Sequence, residues 1–219
     1  MNTNNASYLA IIKQRQWLGP KTFELTIQRP SGFNFFPGQR LRIIHAAGER
    51  DYSLASGSDA HELNLCIRLV EQGRVSGFLS TCDIPTEIPI KGPSGYFTFK
   101  PSSRQAIFVA TGTGIAPFCS MARSGISGFF LLHGVPHPAE RYYRDLVQPA
   151  AKIYVACISN AGQTSKTLFA GRVTDYLAQH IPTGAYDFYL CGSRAMIRDV
   201  TRLVDCRFPN SLVYTEMFY

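Results

Sequence analysis

The sequence predicts two domains, an antiparallel β-barrel followed by an α/β domain whose parallel sheet is doubly wound. Three features support this. Apolar and polar residues alternate in the first hundred residues, short apolar runs alternate with helically spaced apolar residues after them, and glycine- and proline-rich turns separate the segments. The chain has 219 residues, 45% of them hydrophobic and 17% charged, as in ordinary globular proteins. We place the domain boundary near Pro101–Ser103, giving domains of residues 1–101 and 102–219.

The first half consists of short predicted strands. Apolar and polar residues alternate in Thr22–Gln28 and in Glu62–Arg68. Shorter apolar pieces predict further strands at Leu41–Ile44, Ile88–Ile90 and Tyr96–Phe99. Many short strands with turns between them are typical of an antiparallel barrel or sandwich.

The second half alternates between strand and helix patterns. Helical spacing of apolar residues recurs in 139–147, 173–181 and 196–204. Because strands that alternate with helices form a parallel sheet, we expect a doubly wound domain. The predicted buried strands are Ala106–Ala110, Phe129–Leu132, Ile153–Cys157 and Phe188–Leu190.

Charge and cysteine content limit the possible partners and cofactors. The formal net charge is +7, but the basic residues are scattered, which disfavours nucleic-acid binding and permits an acidic protein partner. The cysteines have no short ligand spacing, so we expect no iron-sulfur or other metal site in these residues. The sequence shows no signal-peptide pattern and no apolar run long enough to span a membrane, so we expect a cytoplasmic protein with free thiols.

A glycine-rich segment, Gly112-Thr113-Gly114-Ile115-Ala116-Pro117, directly follows a predicted strand. Glycines allow a tight turn and close approach of a ligand, and a proline suits the first turn of a helix, whose free amides attract an anion such as pyrophosphate. The segment therefore predicts a dinucleotide site. An ordinary strand-to-helix turn is the alternative, since the last glycine of GxGxxG is absent.

A second segment, Arg50-Asp51-Tyr52-Ser53, has the chemistry that a flavin nucleotide needs. Arg50 offers a planar set of donors for phosphate, Tyr52 a flat face for an aromatic ring, and Ser53 a hydroxyl for a ring nitrogen. Taken alone, the segment is equally compatible with a surface strand that carries one aromatic residue.

Together with four further segments, these two occur in the order found in the ferredoxin-NADP reductase family, which the chain resembles over nearly its whole length. The six segments are Arg50–Ser53, Gly73–Leu79, Gly92–Phe97, Gly112–Pro117, Leu190–Ser193 and Tyr214–Tyr219. The resemblance implies an FAD-binding barrel, an NAD(P)-binding α/β domain and NADH or NADPH as the hydride donor.

The resemblance also implies roles for individual residues. In the first domain, FAD would contact Arg50, Asp51, Tyr52, Ser53 and the helix start at Gly73, Val75 and Ser76. In the second domain, NAD(P) would contact Thr111, Gly112, Thr113, Gly114 and Pro117, with Cys191 and Gly192 beside the nicotinamide. Phe218 would cover the flavin, and Tyr219 would reach the adenine or the nicotinamide side. Ser53, Cys191 and Glu216 would act in catalysis.

The implied activity is hydride transfer from NAD(P)H to FAD and single-electron transfer to a separate acceptor: a ferredoxin, a flavodoxin or an oxygenase component. A reductase of free flavin and a non-catalytic flavin-binding regulator are the alternatives. Asn160 follows Ser159 where NADPH-using members often have an arginine, which favours NADH unless Lys166 or Arg172 substitutes. An acidic carrier would dock on basic residues chosen from Arg40, Arg42, Lys91, Lys100 and Arg104.

Overall fold

The computed structural model describes residues 6–160 and 168–218, with the backbone alone at Phe218. These residues form two compact units. The first contains the chain up to Phe99 together with Ala116–Ser124, and the second contains Lys100–Ile115 and the chain from Gly125 onward. The sequence did not predict that residues 116–124 group with the first unit.

The first unit is built on a six-stranded antiparallel sheet with the order β4-β3-β6-β1-β2-β5. A bridge from Leu54, just after β4, to Leu65 in β5 links the two edge strands, so the sheet curls into a barrel. The strands are β1 (Ser7–Gly19), β2 (Thr22–Gln28), β3 (Arg40–His45), β4 (Gly48–Ser53), β5 (Glu62–Arg68) and β6 (Thr86–Ser94).

Two helices complete the first unit: α1 (Arg74–Thr81) follows β5, and α2 (Ala116–Arg123) packs on the loops of the barrel. Arg123 at the end of α2 donates to the Ala55 carbonyl at 2.8 Å, and the ring of Phe118 lies 5.8 Å from that of Phe97. Side chains alternate between the two faces along each strand, and those that point inward, such as Leu25, Leu41 and Ile90, are fully buried in the core.

The second unit is a six-stranded parallel sheet with the order β10-β9-β8-β7-β11-β12. The chain moves outward from β7 on one side through β8, β9 and β10, and on the other side through β11 and β12. Ligands bind beyond the carboxyl ends of strands at such a reversal. The strands are β7 (Gln105–Thr111), β8 (Phe130–Val135), β9 (Ile153–Ile158), β10 (Leu168–Ala170), β11 (Tyr186–Ser193) and β12 (Leu212–Phe218).

Helices cover this sheet. Val173 and Leu177 of α4 (Val173–His180) and Val200 and Val204 of α5 (Arg194–Arg207) pack in one cluster with the central strands. The shorter α3 (Arg144–Ala150) precedes β9. The two-domain class predicted from the sequence, an antiparallel barrel and a parallel α/β sheet, is confirmed.

Two local predictions differ from the structure, and one long strand was missed. Tyr96–Phe99 is irregular rather than a strand, because Gly95 at φ +99° turns the chain and Phe97 then enters the core. The pattern in 139–147 does not form one helix, since Tyr143 is left-handed and α3 begins only after it. The long strand β1 was not predicted at all.

Candidate active site

The first candidate site lies on β4, the edge strand of the barrel. Tyr52 is half-buried and packs against the core, and burial raises the pKa of its hydroxyl to about 12 despite the nearby charge of Arg50. Arg50 is exposed, and its one hydrogen bond to the described residues goes to the Glu49 carbonyl at 2.7 Å. Most of its guanidinium donors are therefore available to a phosphate.

Ser53, at the end of β4, carries an unsatisfied polar group. Its side chain is buried, and Oγ has no hydrogen-bond partner among the described residues. A buried hydroxyl without a partner costs about 1–3 kcal/mol. A ligand that offers Ser53 a ring nitrogen or a carbonyl would remove that cost, so this residue fits the predicted flavin contact.

The start of α1 offers backbone donors next to the same unit's core. Gly73 is its N-cap and supplies no side-chain cap, so the amides of the first turn are left for an anion. A Cβ on Gly73 would lie 2.6 Å from Ser76 Oγ and 2.8 Å from Val70 Cβ, which explains the glycine. The Ser76 hydroxyl is already used, since it donates to the Gly73 carbonyl and accepts from the Val70 amide. Val75 is buried, so here also only the backbone amide can reach a phosphate.

Asp51 is engaged in ion pairs. Arg42, its cross-strand neighbour, donates to both carboxylate oxygens at 2.6 and 3.0 Å, and Arg40 Nε lies 3.3 Å away. These pairs tie the edge strand β4 to β3. The carboxylate therefore contributes by fixing the strand that carries Arg50 and Tyr52.

The second candidate site lies at the carboxyl ends of β7, β8 and β11. After Thr111 the chain forms a single 3-10 turn, Gly112–Ile115, and Gly112 has φ +53°. A Cβ on Gly114 would lie 2.7 Å from the Cys191 carbonyl carbon and 2.8 Å from Gly192 Cα. The turn thus rests directly on the end of β11, which only glycine permits.

Gly192, in β11, makes a second close contact, with Thr111 at the end of β7. Its φ is +138°, and a Cβ there would overlap Thr111 Oγ1 and lie 3.0 Å from the Thr111 amide nitrogen. Thr111 Oγ1 also accepts a hydrogen bond from the Ser193 amide at 3.0 Å. The ends of β7 and β11 are therefore held together through the Thr111 side chain and the backbone of Gly192 and Ser193.

Cys191 and Glu216 face each other in register on β11 and β12. Both are buried, Cys191 completely. Burial, with a smaller contribution from Glu216, raises the pKa of the Cys191 thiol well above its usual range. The thiol is therefore neutral, and it can position a ligand without acting as a nucleophile.

The remaining predicted residues have separate positions. The backbone of Phe218 pairs with Ser193 at the end of β12, while the Phe218 side chain, Tyr219 and Lys166 lie outside the described residues. Pro117 is buried in the first turn of α2, which groups with the first unit, and Thr113 lies in the 3-10 turn. Arg172 begins α4, where its amide donates to Asp175.

Three of the five basic residues expected to form a docking face already have acidic partners. In the first unit Arg40 and Arg42 pair with Asp51, and in the second unit Arg104 Nε lies 2.8 Å from the buried Asp187. Lys100 lies over the Tyr214 ring at 5.1 Å. Their net contribution to a basic face is therefore smaller than the sequence suggested.

Sequence reasoning missed His133 and the cross-strand partners of Asp51. His133, in β8 two residues before the strand ends, is fully buried, with Nε2 3.0 Å from the Gly112 carbonyl oxygen. A polar residue between an apolar run and a glycine was the available signal. Within the described residues, no group of His, Cys, Asp and Glu could hold a metal, and no helix is long and apolar enough to cross a membrane.

Comparison with known proteins finds one family match in the first part of the chain and another in the second part. Residues 18–99 match the oxidoreductase FAD-binding domain family, and residues 108–202 match the oxidoreductase NAD-binding domain family. The electron transfer component of toluate 1,2-dioxygenase from Pseudomonas putida is 30% identical over 92% of this chain and 64% of its own length. Ferredoxin-NADP reductase B from Sorangium cellulosum is 28% identical over 92% of this chain and 93% of its own length.

Among solved structures, a ferredoxin NADP+ reductase from Neisseria gonorrhoeae with bound FAD and NADP has the same fold. Its TM-score is 0.81 at 22% identity, over 95% of this chain and 98% of that one. The chain spans less than two thirds of the dioxygenase relative's length. The matched families together account for an FAD-binding and an NAD-binding part.

Proposed function

Because this chain belongs to the ferredoxin-NADP reductase-like family of FAD- and NAD-binding oxidoreductases, we propose that it oxidises NAD(P)H and delivers single electrons to a separate acceptor. When bound, FAD supplies the chemistry that links the two, since a flavin accepts a hydride and can release its electrons one at a time. The observation that carries the proposal is the buried, unpartnered Ser53 hydroxyl at the end of the strand that presents Arg50 and Tyr52.

The chain's own residues bind and orient the flavin. Arg50 and the first amides of α1, at Val75 and Ser76, neutralise the pyrophosphate, and the half-buried Tyr52 ring supplies a flat apolar face for the isoalloxazine. Ser53 Oγ would hydrogen-bond the flavin ring and so orient it. Asp51 holds this strand in place through Arg42.

In the second unit, the turn from Thr111 to Gly114 receives the NAD(P) pyrophosphate. Pro117 lies in the first turn of α2, which follows this turn in sequence and groups with the first unit. Cys191 and Gly192 would hold the nicotinamide in position, with the thiol acting as a neutral spacer. Glu216, opposite Cys191, holds or moves a proton near the reacting ring. The proposed contacts of Phe218 and Tyr219 with the cofactors concern side chains outside the described residues.

The acceptor is an acidic carrier, a ferredoxin or flavodoxin, or an oxygenase component. Support comes from the net charge of +7 and from relatives named as electron transfer components of dioxygenases. No disulfide forms among the described residues, which include all six cysteines, and this supports a reducing compartment such as the cytoplasm. We also infer a preference for NADH, because Asn160 cannot pair with a 2′-phosphate as an arginine would.

Anaerobic reduction with NADH and NADPH in parallel tests the proposal. The purified protein should be yellow, retain FAD through gel filtration, and lose its flavin absorbance on addition of either nucleotide, faster with NADH. A colourless protein that fails to bind micromolar FAD would refute the proposal. Turnover only with added free flavin would favour a flavin reductase, and bound FAD that nucleotides never reduce would favour a regulator.

A pair of arginine variants tests the flavin site itself. Arg50→Glu removes a charge-assisted phosphate contact worth about 1.5–3 kcal/mol and adds repulsion, so FAD affinity should fall more than tenfold. Arg68→Glu, an equally exposed arginine at the end of β5, makes the same change in charge elsewhere on the barrel. Equal losses in both variants would show that only the overall charge matters.

A further inference from the structure

His133 makes a contact that the sequence did not predict. It lies in the second half of β8, between Ala110 of β7 and Ala156 of β9 in register, and is fully buried. Nε2 is 3.0 Å from the Gly112 carbonyl oxygen, at the first residue of the 3-10 turn. Nδ1 has no hydrogen-bond partner within the described part of the chain.

The chemistry of the ring follows from this setting. Burial lowers the pKa of His133 to about 4, so the imidazole is neutral near pH 7. A carbonyl oxygen only accepts hydrogen bonds, so the single ring proton is on Nε2, which donates to Gly112. The tautomer leaves Nδ1 as a buried, unsatisfied acceptor, a cost that a leucine of similar size would not have.

The hydrogen bond fixes more than one carbonyl. The Gly112 carbonyl and the Thr113 amide belong to one planar trans peptide and point in opposite directions. Since the carbonyl is directed back to β8, the Thr113 N–H is directed away from it. The first amides of a 3-10 or α-helical turn have no partner within the turn, so this N–H is free to donate to a ligand.

Without His133 this peptide could turn over. Gly112 has φ +53° and open space around its Cβ position, and glycine tolerates other backbone conformations at little cost. A rotated peptide would present a carbonyl oxygen, which repels an anion, in place of the N–H. A binding-competent fraction of roughly one tenth would weaken the apparent affinity about tenfold.

We propose that His133 is a positioning residue that holds the Gly112–Thr113 peptide with its N–H directed at the pyrophosphate of the dinucleotide. This inference rests on the proposed function, because it assumes that the turn binds NAD(P). It assigns a specific task to a buried side chain that touches neither cofactor.

Two amide substitutions of different length test the proposal. His133→Gln places its amide nitrogen about as far along the side chain as Nε2 of histidine and keeps a donor. His133→Asn is one methylene shorter, so its amide nitrogen cannot reach the Gly112 carbonyl oxygen. Both bury an amide at the same place. Leu131→Val, which removes one methylene from the same face of β8, controls for loss of packing.

The probes are NAD⁺ and ADP-ribose, titrated calorimetrically into the FAD-loaded protein. ADP-ribose keeps the pyrophosphate and lacks the nicotinamide. We expect His133→Asn to weaken the binding of both ligands by the same factor, about fivefold to tenfold, while its FAD content matches that of His133→Gln. His133→Gln and Leu131→Val should bind both ligands within about twofold of the wild type.

Several results would overturn the proposal. If His133→Asn binds ADP-ribose as tightly as the wild type, or if Gln loses as much as Asn, the hydrogen bond does not set the affinity and His133 is only a core residue. If the Asn variant is insoluble, His133→Leu replaces it in the same comparison with Gln. If the wild type binds neither ligand, the proposed function itself is wrong, a failure distinct from equal binding by all variants.

Discussion

Gly114→Ala should disable the dinucleotide turn while leaving the flavin unit intact. The added Cβ would lie 2.7 Å from the Cys191 carbonyl carbon and 2.8 Å from Gly192 Cα, whereas carbon atoms in contact sit about 3.5–4.0 Å apart. The turn must therefore move by about 1 Å relative to the end of β11. Because both partners are backbone, no side-chain rotation can relieve the overlap.

A shift of about 1 Å at a reacting site can cost on the order of a hundredfold, so kcat/KM for NADH should fall about a hundredfold. FAD content should not change, since Arg50, Tyr52, Ser53 and the start of α1 lie in the first unit. Steady-state kinetics with ferricyanide and the absorbance ratio of flavin to protein measure the two quantities.

The control is Gly125→Ala, in the same unit. Gly125 has φ +87° and no atom within 4 Å of its Cβ position, so alanine there adds about 1–2 kcal/mol of backbone strain without touching the turn. Its kcat/KM should stay near the wild-type value. If Gly114→Ala keeps full activity with NADH, or if Gly125→Ala loses as much, the close contact between turn and strand does not matter for dinucleotide use.

Three further predictions concern single side chains. Ser53→Ala removes a buried hydroxyl that has no partner among the described residues, so the free energy of unfolding of the FAD-free protein should rise by about 1 kcal/mol, or about 2–4 °C in melting temperature. Reduction of bound FAD should become slower. A destabilised FAD-free variant would refute this. Because burial raises the pKa of Cys191, iodoacetamide at pH 8 should modify the exposed Cys206 and leave Cys191 unmodified. Mass spectrometry of peptides measures both modifications, and rapid alkylation of Cys191 would contradict the prediction. The pKa of His133 is about 4 in the folded protein and 6.5 for an ordinary histidine, so between these pH values the unfolded state binds more protons than the folded state. The free energy of unfolding should therefore decrease by up to about 3 kcal/mol as the pH falls from 6.5 to 4. Urea titrations of His133→Leu should lack that part of the decrease, and an unchanged pH dependence would show that His133 does not cause it.

The sequence predicted those elements whose pattern is local. β2, β5 and the buried strands β7 to β9 have uninterrupted period-two or apolar patterns, and each was found where expected. β1 was missed because Lys13-Gln14-Arg15-Gln16 interrupts its apolar pattern, and its strand conformation depends on pairing with β2 and β6 on either side. Such tertiary pairing overrides local propensity.

The candidate site divides in the same way. Arg50, Tyr52 and the glycine turn could be proposed from the sequence because each motif is a short continuous segment. The pairing of Asp51 with Arg42 and the contact of His133 with Gly112 join different strands, and no spacing in the sequence encodes them. The excursion of α2 into the first unit has the same origin, since contacts such as Arg123 with the Ala55 carbonyl exist only in the folded chain.

Electron counting under anaerobic conditions tests the central claim most directly. The FAD-loaded protein, free of added flavin, is mixed with limiting NADH and an excess of a one-electron acceptor such as cytochrome c, and both absorbance changes are recorded. Since a hydride carries two electrons and the bound flavin releases them singly, about two acceptor molecules should be reduced for each NADH oxidised. Oxidation of NADH that proceeds only after free FMN or riboflavin is added would contradict the account.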